Sequence, residues 1–332
     1  MGKATVTSND VARLAKVSQS AVSRTFSDGG SVSVDMRARV LQAAAKLGYR
    51  PNVLARAVIS GRSRLIAILV AYLDNHFYPL VLEQLCRAFQ DQGYQVLLFM
   101  TDTGRQDKVV QTMLQYQVQG IVMASATMSS GLARECTRTG TPVVLFNRYV
   151  PSLPVSSVTS DNIEGGRQLA HFLADGGHRR IAFIAGQEDS STSRDREAGF
   201  YKGLAERGLT VWHRAVGGYT VDGAAEATRE IFAGDPPDAI FAANDHMAFT
   251  VIDVLRGAFG LRVPEDISVV GYDDVPEAAW AGYNLTTVSQ PATAMVDATV
   301  AIMLEQVTNN AVQRRAAVLP CALVVRGSAR LA

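Results

Sequence analysis

The sequence predicts a small all-α helix-turn-helix domain followed by a two-lobed α/β core built on two doubly wound parallel sheets. Three observations carry that prediction. The first sixty-four residues hold three short amphipathic stretches, each preceded by Thr or Ser. From Leu65 onward, short apolar runs alternate with helical segments. Those runs are too numerous for one typical sheet, and 332 residues exceed the roughly 150 expected of a single domain.

In the first stretch, Thr7-Ser-Asn-Asp10 fits a capping box. The Thr hydroxyl accepts a free backbone N–H, and the acid three residues on answers it. Val11, Leu14 and Ala15 then share a helical face, and the helix should stop near Lys16 because Ser18 caps a new one. Ala21, Val22 and Phe26 supply the inward face of that second helix, leaving Gln19, Ser20, Ser23 and Arg24 pointing elsewhere. Ser33 announces a third helix, carried by Val34, Val40, Leu41, Ala44 and Leu47 and closed by Gly48. A three-residue turn between the first two helices makes a helix-turn-helix pattern, whose second helix places its N-terminal side chains in a major groove. There Gln pairs with adenine and Arg grips guanine. Helical spacing alone also fits a plain bundle with a wet polar face. Charge favours the nucleic-acid reading: residues 1–64 carry eleven Lys/Arg against three acids, a net +8, while the remainder is net −7.

The apolar runs of the body are "LIAILVAY", "YQVLLFM", "GIVMAS", "PVVLFN", "RIAFIAG", "DAIFAAN" and "ISVVGYD". Each suits a strand buried on both faces of a parallel sheet. Helical stretches such as Tyr78–Gln92, Asn162–Asp175, Asp195–Arg207 and Val221–Phe232 fall between them. Open α/β sheets bind ligands outside the carboxyl ends of their strands. The polar residues at those ends are Asp74, Asn147-Arg148, Ser160-Asp161, Asn244-Asp245 and Asp273-Asp274, with Arg194 and Arg196 where a helix starts after Gly186.

Other classes are disfavoured. No apolar run reaches the roughly 18 residues of a membrane span, and the polar start lacks a signal-peptide pattern. Cys86, Cys136 and Cys321 are odd in number and scattered, reading as thiols of a reducing compartment. Asp273-Asp274 is no general-acid pair, since adjacent side chains diverge. No GxSxG, HExxH or P-loop occurs, and the five histidines are dispersed. The chain is expected to be no enzyme and to need no metal or cofactor.

The residues then converge on a family. "TSNDVARLAKVSQSAVSRTFS", "VSVDMRARVLQAAAKLGYRPNVLARAV", "SDNIEGG", "GGHRRIAFIAG", "AANDHMA", "VPEDISVVGYDD" and "LTTVSQP" resemble the LacI/GalR regulators along most of the chain. The resemblance implies a headpiece over 1–50, a hinge helix and linker over 51–64, and an effector-binding core over 65–332. That core is similar to type I periplasmic sugar-binding proteins, with one lobe near 65–161 plus 291–325 and the other near 162–290. It implies base readout by Gln19, Ser20 and Arg24, and phosphate contacts from Thr7, Ser18, Ser23 and Ser33. The "NVLARAVIS" segment matches the hinge, with Asn52 as its cap, Ala55 and Arg56 at the minor groove, and Val58 where the family inserts a leucine. Carried over position by position, effector contacts are Asp161, Arg196, Asn244 and Asp273, with Phe77, Tyr78, Arg148, Tyr219 and Trp280 secondary. Core roles stay open for Phe77 and Tyr78, a packing role for Trp280, and cap roles for Asp245 and Asp274.

Three departures stand out: Lys16 where the family often has glycine, Ala21 for a common threonine, and Ser27 for a common asparagine. Lys16 costs about 1 kcal/mol if its φ is positive. The implied protein is a cytoplasmic homodimer, a repressor on pseudo-palindromic double-stranded operator DNA, answering to a sugar or polyol. The absence of a leucine-heptad tail favours dimer over tetramer. The rival expectation is a small-sugar binding or sensor protein without gene control.

Overall fold

Each of the three helices among the described residues of the N-terminal unit begins where a hydroxyl takes over a free backbone N–H. Thr7 caps α1 (Ser8–Ala15) in a complete capping box with Asp10. Ser18 caps α2 (Gln19–Thr25) and Ser33 caps α3 (Val34–Leu47). α1 ends on Lys16 at φ 50°, ψ 50°. Val17 N–H then bonds Ala12 O at 3.0 Å and Lys16 N–H bonds Arg13 O at 3.4 Å, a Schellman closure. Gly48 closes α3 in the same left-handed region. The core is small-residue packing: Val11, Ala12, Ala15, Val22, Val40, Ala43 and Ala44, with Val17, Phe26, Leu47 and Tyr49 against it. Three expected core positions are corrected here. Leu14 is 42% exposed, Val34 87% and Leu41 47%, because Ala12 and Ala43 face the helix crossings instead.

The computed structural model describes residues 6–26, 31–50, 63–102, 104–126, 128–309 and 312–331. The chain forms two units, Met1–Ser63 and Arg64–Ala332. In the second, strands β1 (Leu65–Val70), β2 (Gln95–Met100), β3 (Gly120–Ala124), β4 (Val143–Phe146) and β5 (Ser156–Ser160) alternate with α4 (Phe77–Asp91), α5 (Gln106–Gln115) and α6 (Ser130–Thr139). There follow α7 (Asn162–Asp175), β6 (Ile181–Ala185), α8 (Ser191–Glu206), β7 (His213–Val216), α9 (Val221–Phe232), β8 (Ala239–Ala242), α10 (Asp245–Ala258) and β9 (Ser268–Val270). The chain closes with β10 (Thr287–Ser289), α11 (Ala292–Asn309), β11 (Ala316–Leu319) and β12 (Ala322–Val324). One parallel sheet runs β11-β5-β4-β3-β1-β2, the other β7-β6-β8-β9, and β10 pairs with β12. Each lobe thus has its own sheet, and all strand ends of a sheet point to one edge.

Four expectations need correction. β2 is an edge strand, not buried on both faces: Leu98 and Met100 are half exposed. α8 starts at Ser191 rather than Asp195, capped by Ser190. The stretch 291–325 does not stay in the first lobe. β11 pairs with β5, but past Pro320 the chain returns to the second lobe, where Cys321, Leu323 and Ala329 join its core. Strands β7, β10 and β12 are short and polar-flanked, so apolar runs did not announce them. The crossings are tied together: Ser160 Oγ donates to Gln290 Oε1 at 2.9 Å, and Cys321 Sγ to Asp161 O at 3.2 Å.

Candidate functional site

In the headpiece, α2 presents Gln19, Ser20, Ser23 and Arg24 on its exposed side while Ala21, Val22 and Thr25 are buried. Gln19 Nε2 donates to Ser8 Oγ at 3.1 Å, and Arg24 Nε to Ser20 O at 3.3 Å, so both long side chains lie along the surface. Ser18 Oγ accepts from Ala21 N at 3.2 Å and lies 2.9 Å from Ser20 Oγ. Thr7, Ser18 and Ser33 therefore hold helix ends as well as lying exposed at the starts of the three helices. Arg37 donates to Thr25 O at 3.1 Å and Arg39 to Ala15 O at 3.4 Å, fastening α3 to the ends of the other two helices. Asn52, Ala55, Arg56 and Val58, together with Ser27, lie outside the described residues.

In the core, the carboxyl ends of β1, β5, β8 and β9 converge on one polar network. Arg196, 2% exposed, donates from Nε to Asn162 Oδ1 at 2.8 Å, from Nη1 to Ala243 O at 2.6 Å, and from Nη2 to Asp273 Oδ1 at 3.1 Å. Its guanidinium lies 3.7 Å from the Tyr272 ring centroid. Asp273 also accepts from Gln290 Nε2 at 2.7 Å and from Asn75 Nδ2 at 3.4 Å. Burial pushes the Asp273 carboxyl up, and the adjacent Arg196 opposes that push. Close helix packing sets the arginine in place: a Cβ on Gly166 of α7 would meet Arg196 O at 2.2 Å, so no larger residue fits there.

A second cluster surrounds Arg148, which follows β4. It donates to the Thr192 hydroxyl, to Asn147 O at 3.0 Å and to Tyr72 Oη at 3.2 Å, beside the Tyr219 ring. Next to it, Tyr149 N–H bonds Ser191 Oγ at 3.0 Å and Tyr149 Oη bonds Asp195 Oδ1 at 3.0 Å. The bonds to Thr192, Ser191 and Asp195 join the lobes, as does His76 Nδ1 at 3.0 Å from Glu277 Oε1. Between the lobes lies a cavity of about 840 Å³, lined by Tyr72, Ser125 and Arg148 on one side and Gln187, Ser190 and Val216 on the other. Buried polar atoms of the core that lack partners among the described residues include Asn147 Oδ1 after β4, Ser193 Oγ in the first turn of α8 and Asn244 Nδ2 at the cap of α10. Along the cavity itself Tyr72, Ser125, Ser190, Gln187 and Arg148 offer both donors and acceptors, which suits a hydroxyl-rich ligand.

The candidates divide accordingly. Arg148 lines the cavity, Tyr219 closes on it, and Arg196 and Asp273 form the network behind. Asn244 caps α10 through Oδ1 and keeps its amide donor unpaired. Asp161 is engaged as the cap of α7, accepting from Glu164 N at 3.0 Å. Phe77 and Tyr78 are buried against Phe146 and Tyr72, members of the first lobe's core. Trp280 is 58% exposed at the end of a short 3-10 turn, apart from both clusters' hydrogen bonds. Asp274 is no helix cap but holds Arg326 Nη2 at 2.6 Å. Asp245 is no cap either; it is the first residue of α10, fully buried, accepting from Thr287 Oγ1 at 2.6 Å and Val275 N at 3.0 Å. Tyr72, Asn75, Thr192 and Gln290 were missed. Ser190 ahead of the helical stretch is a legible cap signal that brings Thr192 to the helix start.

A small helical unit with an exposed polar second helix, joined in one chain to a two-lobed core with a polar cavity between its sheets, defines a ligand-binding core coupled to a nucleic-acid reader. Residues 7–52 match the family model of bacterial regulatory proteins, lacI family, and residues 169–329 match a periplasmic binding protein-like domain. The chain is 34% identical to the HTH-type transcriptional regulator CelR of Thermobifida fusca over 96% of both chains. It is 31% identical to the HTH-type transcriptional repressor PurR of Photobacterium profundum over 98% of both. Among solved structures, the lac repressor dimer bound to operator and the anti-inducer ONPF matches with a TM-score of 0.88 at 28% identity, covering 99% of this chain and 100% of that one. A CelR-cellobiose complex matches with a TM-score of 0.74 at 33% identity, covering 97% and 99%. The chain belongs to the lacI family of bacterial regulatory proteins. It is a DNA-binding transcriptional regulator under effector control, not an enzyme, and the sensor without gene control is set aside.

Proposed function

We propose that the protein is a cytoplasmic homodimeric repressor. It reads a pseudo-palindromic operator through Gln19, Ser20 and Arg24 of each α2 and releases or grips it according to a sugar or polyol held between the core lobes. Half-sites lie about one helical turn, roughly 34–36 Å, apart. Thr7, Ser18, Ser23 and Ser33 sit at phosphates, and Asn52, Ala55, Arg56 and Val58 belong to the hinge in the minor groove. Arg148, Tyr219, Asn244, Arg196 and Asp273 form the effector site, with Asp161, Phe77, Tyr78 and Trp280 supporting the lobes around it. The observation that carries the reading is the exposed row on α2, whose long side chains have no part in the headpiece core. A sugar is supported by the cellobiose held by the related regulator, and by the hydroxyl, amide and guanidinium groups of Tyr72, Ser125, Ser190, Gln187 and Arg148 that line the cavity. No helix among the described residues is long and apolar enough to cross a membrane.

A ligand shifts DNA affinity only by its preference between two lobe arrangements, commonly about 1–3 kcal/mol. The interlobe bonds of Arg148, Tyr149, Asn75 and His76 are the contacts such a preference acts on. The test is selection of binding sites from a random duplex pool with full-length protein, followed by titration of Arg24→Ala. The variant should lose roughly 1–3 kcal/mol on the selected site and far less on bulk DNA. Equal loss on both would make Arg24 a phosphate contact and sink the assignment.

A further inference from the structure

The two buried arginines of the cleft differ in one respect: Arg196 has a carboxylate and Arg148 has none. Arg196 pairs with Asp273. Arg148, 3% exposed, forms no ion pair with any described residue; its partners are two hydroxyls and a backbone carbonyl. Burial lifts the Tyr72 and Tyr78 hydroxyls above their ordinary pKa, so at neutral pH both stay protonated and neither supplies the missing charge. A buried cation without a counter-charge is costly, and proteins hold one chiefly where something else brings the anion.

The surroundings add to the excess rather than cancel it. Arg196 lies close enough for the two guanidiniums to repel, and the nearby carboxylate of Asp273 is already engaged by Arg196, Gln290 and Asn75. The N-terminus of the sixteen-residue α8, capped by Ser190, turns its first residues Ser191 and Thr192 toward Tyr149 and Arg148. That end of a helix carries partial positive charge. The acids that do line the cavity, Asp102, Glu188 and Asp189, are exposed, and Glu188 is engaged by Arg214 at 3.0 Å. Asp195 is taken by Tyr149. A guanidinium has five N–H donors, and the three bonds of Arg148 leave Nε–H and one Nη2 proton without a partner on a side chain that lines the cavity. Neighbouring N–H donors of a guanidinium suit a carboxylate or phosphate taken in bidentate fashion.

We propose that the ligand of this cavity is a hydroxylated small molecule bearing an anionic group, a carboxylate or a phosphate, and that Arg148 is the residue that receives it. This rests on the reading of the interlobe cavity as the effector site, and it narrows that reading from sugars and polyols at large to their acids and phosphate esters. The hydroxyls of Ser125 and Ser190 and the Gln187 amide, which line the same cavity, are left to meet the ligand's hydroxyls.

The experiment is a thermal-shift titration of the full-length protein with D-gluconate, D-glucuronate and D-glucose 6-phosphate against D-glucose and sorbitol, each to about 10 mM. At least one acid should raise the midpoint well beyond its neutral counterpart, and the carboxylate and phosphate arms identify which anion is used. Arg148→Gln should then lose about 10–100-fold in affinity for that acid, the effect of a charge-assisted contact, with Arg148→Lys intermediate. If no acid shifts the midpoint, if the neutral sugars do as well, or if Arg148→Gln binds the acid unchanged, the inference is overturned. The first two outcomes come from the wild-type protein and do not depend on a variant folding. Gln187→Trp, which fills the cavity wall, separates the two levels. Neutral-sugar binding abolished by it, with the acids inert, removes the anion and keeps the site. Binding of every compound unchanged by it removes both.

Discussion

The headpiece and the core use the same kinds of polar residue in opposite ways. In the headpiece, Gln19, Ser20 and Arg24 are exposed, and the fold is held by capping hydroxyls and a core of valine and alanine beneath them. In the core, Arg196, Asp273, Asn75 and Gln290 are buried and bonded to one another, so the candidate ligand residues are also the joint between two lobes. Reading function from loss of binding is therefore straightforward in one region and confounded in the other. A headpiece variant changes recognition with the fold intact, whereas a cleft variant changes stability and lobe arrangement together.

The sharpest way to break that contrast is to remove the same charge from each region. Arg196→Met leaves Asp273 buried without its cation and should cost about 3–5 kcal/mol in urea unfolding of the core. Arg24→Ala, on an exposed helix face, should stay within about 0.5 kcal/mol. Adding Asp273→Asn to Arg196→Met should recover a substantial part of the loss, because the stranded carboxylate is gone. Equal costs for the two single variants would show that the buried network does not hold the lobes, and the contrast would collapse.

The same contrast explains what could be read in advance. Headpiece helices were legible because their signals are local: Thr7 with Asp10, Ser18, Ser33 and Gly48 each act within four residues. Buried strands of the parallel sheets were legible as apolar runs, and their carboxyl ends gave Asn147-Arg148, Asn244 and Asp273. What stayed hidden depends on distant partners. Nothing near Thr192 in sequence announces Arg148, forty-four residues earlier, and nothing near Asn75 announces Asp273. Leu14 and Leu41 misled for a related reason: helical spacing fixes which residues share a face, not which face the neighbouring helix covers. The return of the chain to the second lobe after Pro320 was equally invisible, since β12 is three residues long and half exposed.

A smaller effect tests whether the buried side of the cleft titrates. Asp245 is fully buried, and desolvation, reinforced by nearby Asp273, lifts its carboxyl from 3.8 to about 7. The folded chain therefore holds a proton that the unfolded chain releases above about pH 4. Stability contributed by this group is full below that value and declines as pH rises, the loss being complete above about pH 7. The slope is at most about 1.4 kcal/mol per pH unit. Asp245→Asn keeps groups that can meet Thr287 and Val275 and removes the titration. Unfolding midpoints measured from pH 5 to 8 should fall less for the variant than for wild type, with the gap widening up to about pH 7 and level beyond. Parallel curves would mean that Asp245 is ionised throughout. No headpiece position has a comparable buried acid among the described residues, so Arg24→Ala should leave the pH profile unchanged.

The smallest effect belongs to the headpiece turn. Lys16 sits at φ 50° with a Cβ that crowds the following carbonyl, in a Schellman closure whose two hydrogen bonds need only backbone. Lys16→Gly removes that crowding, while the greater freedom of glycine in the unfolded chain takes back part of the gain. The net should be stabilising by up to about 1 kcal/mol. It also thins a crowd of like charge, since Lys16, Arg39 and Lys46 line one shallow groove. Hydrogen exchange of the full-length protein reads the change locally: amides of residues 8–25 should exchange up to about fivefold more slowly in the variant, with the core unaffected. Unchanged protection would show that the left-handed lysine costs this turn nothing. The Schellman bonds of Lys16 and Val17 and the caps at Thr7 and Ser18 would then set the turn without the conformational freedom of glycine.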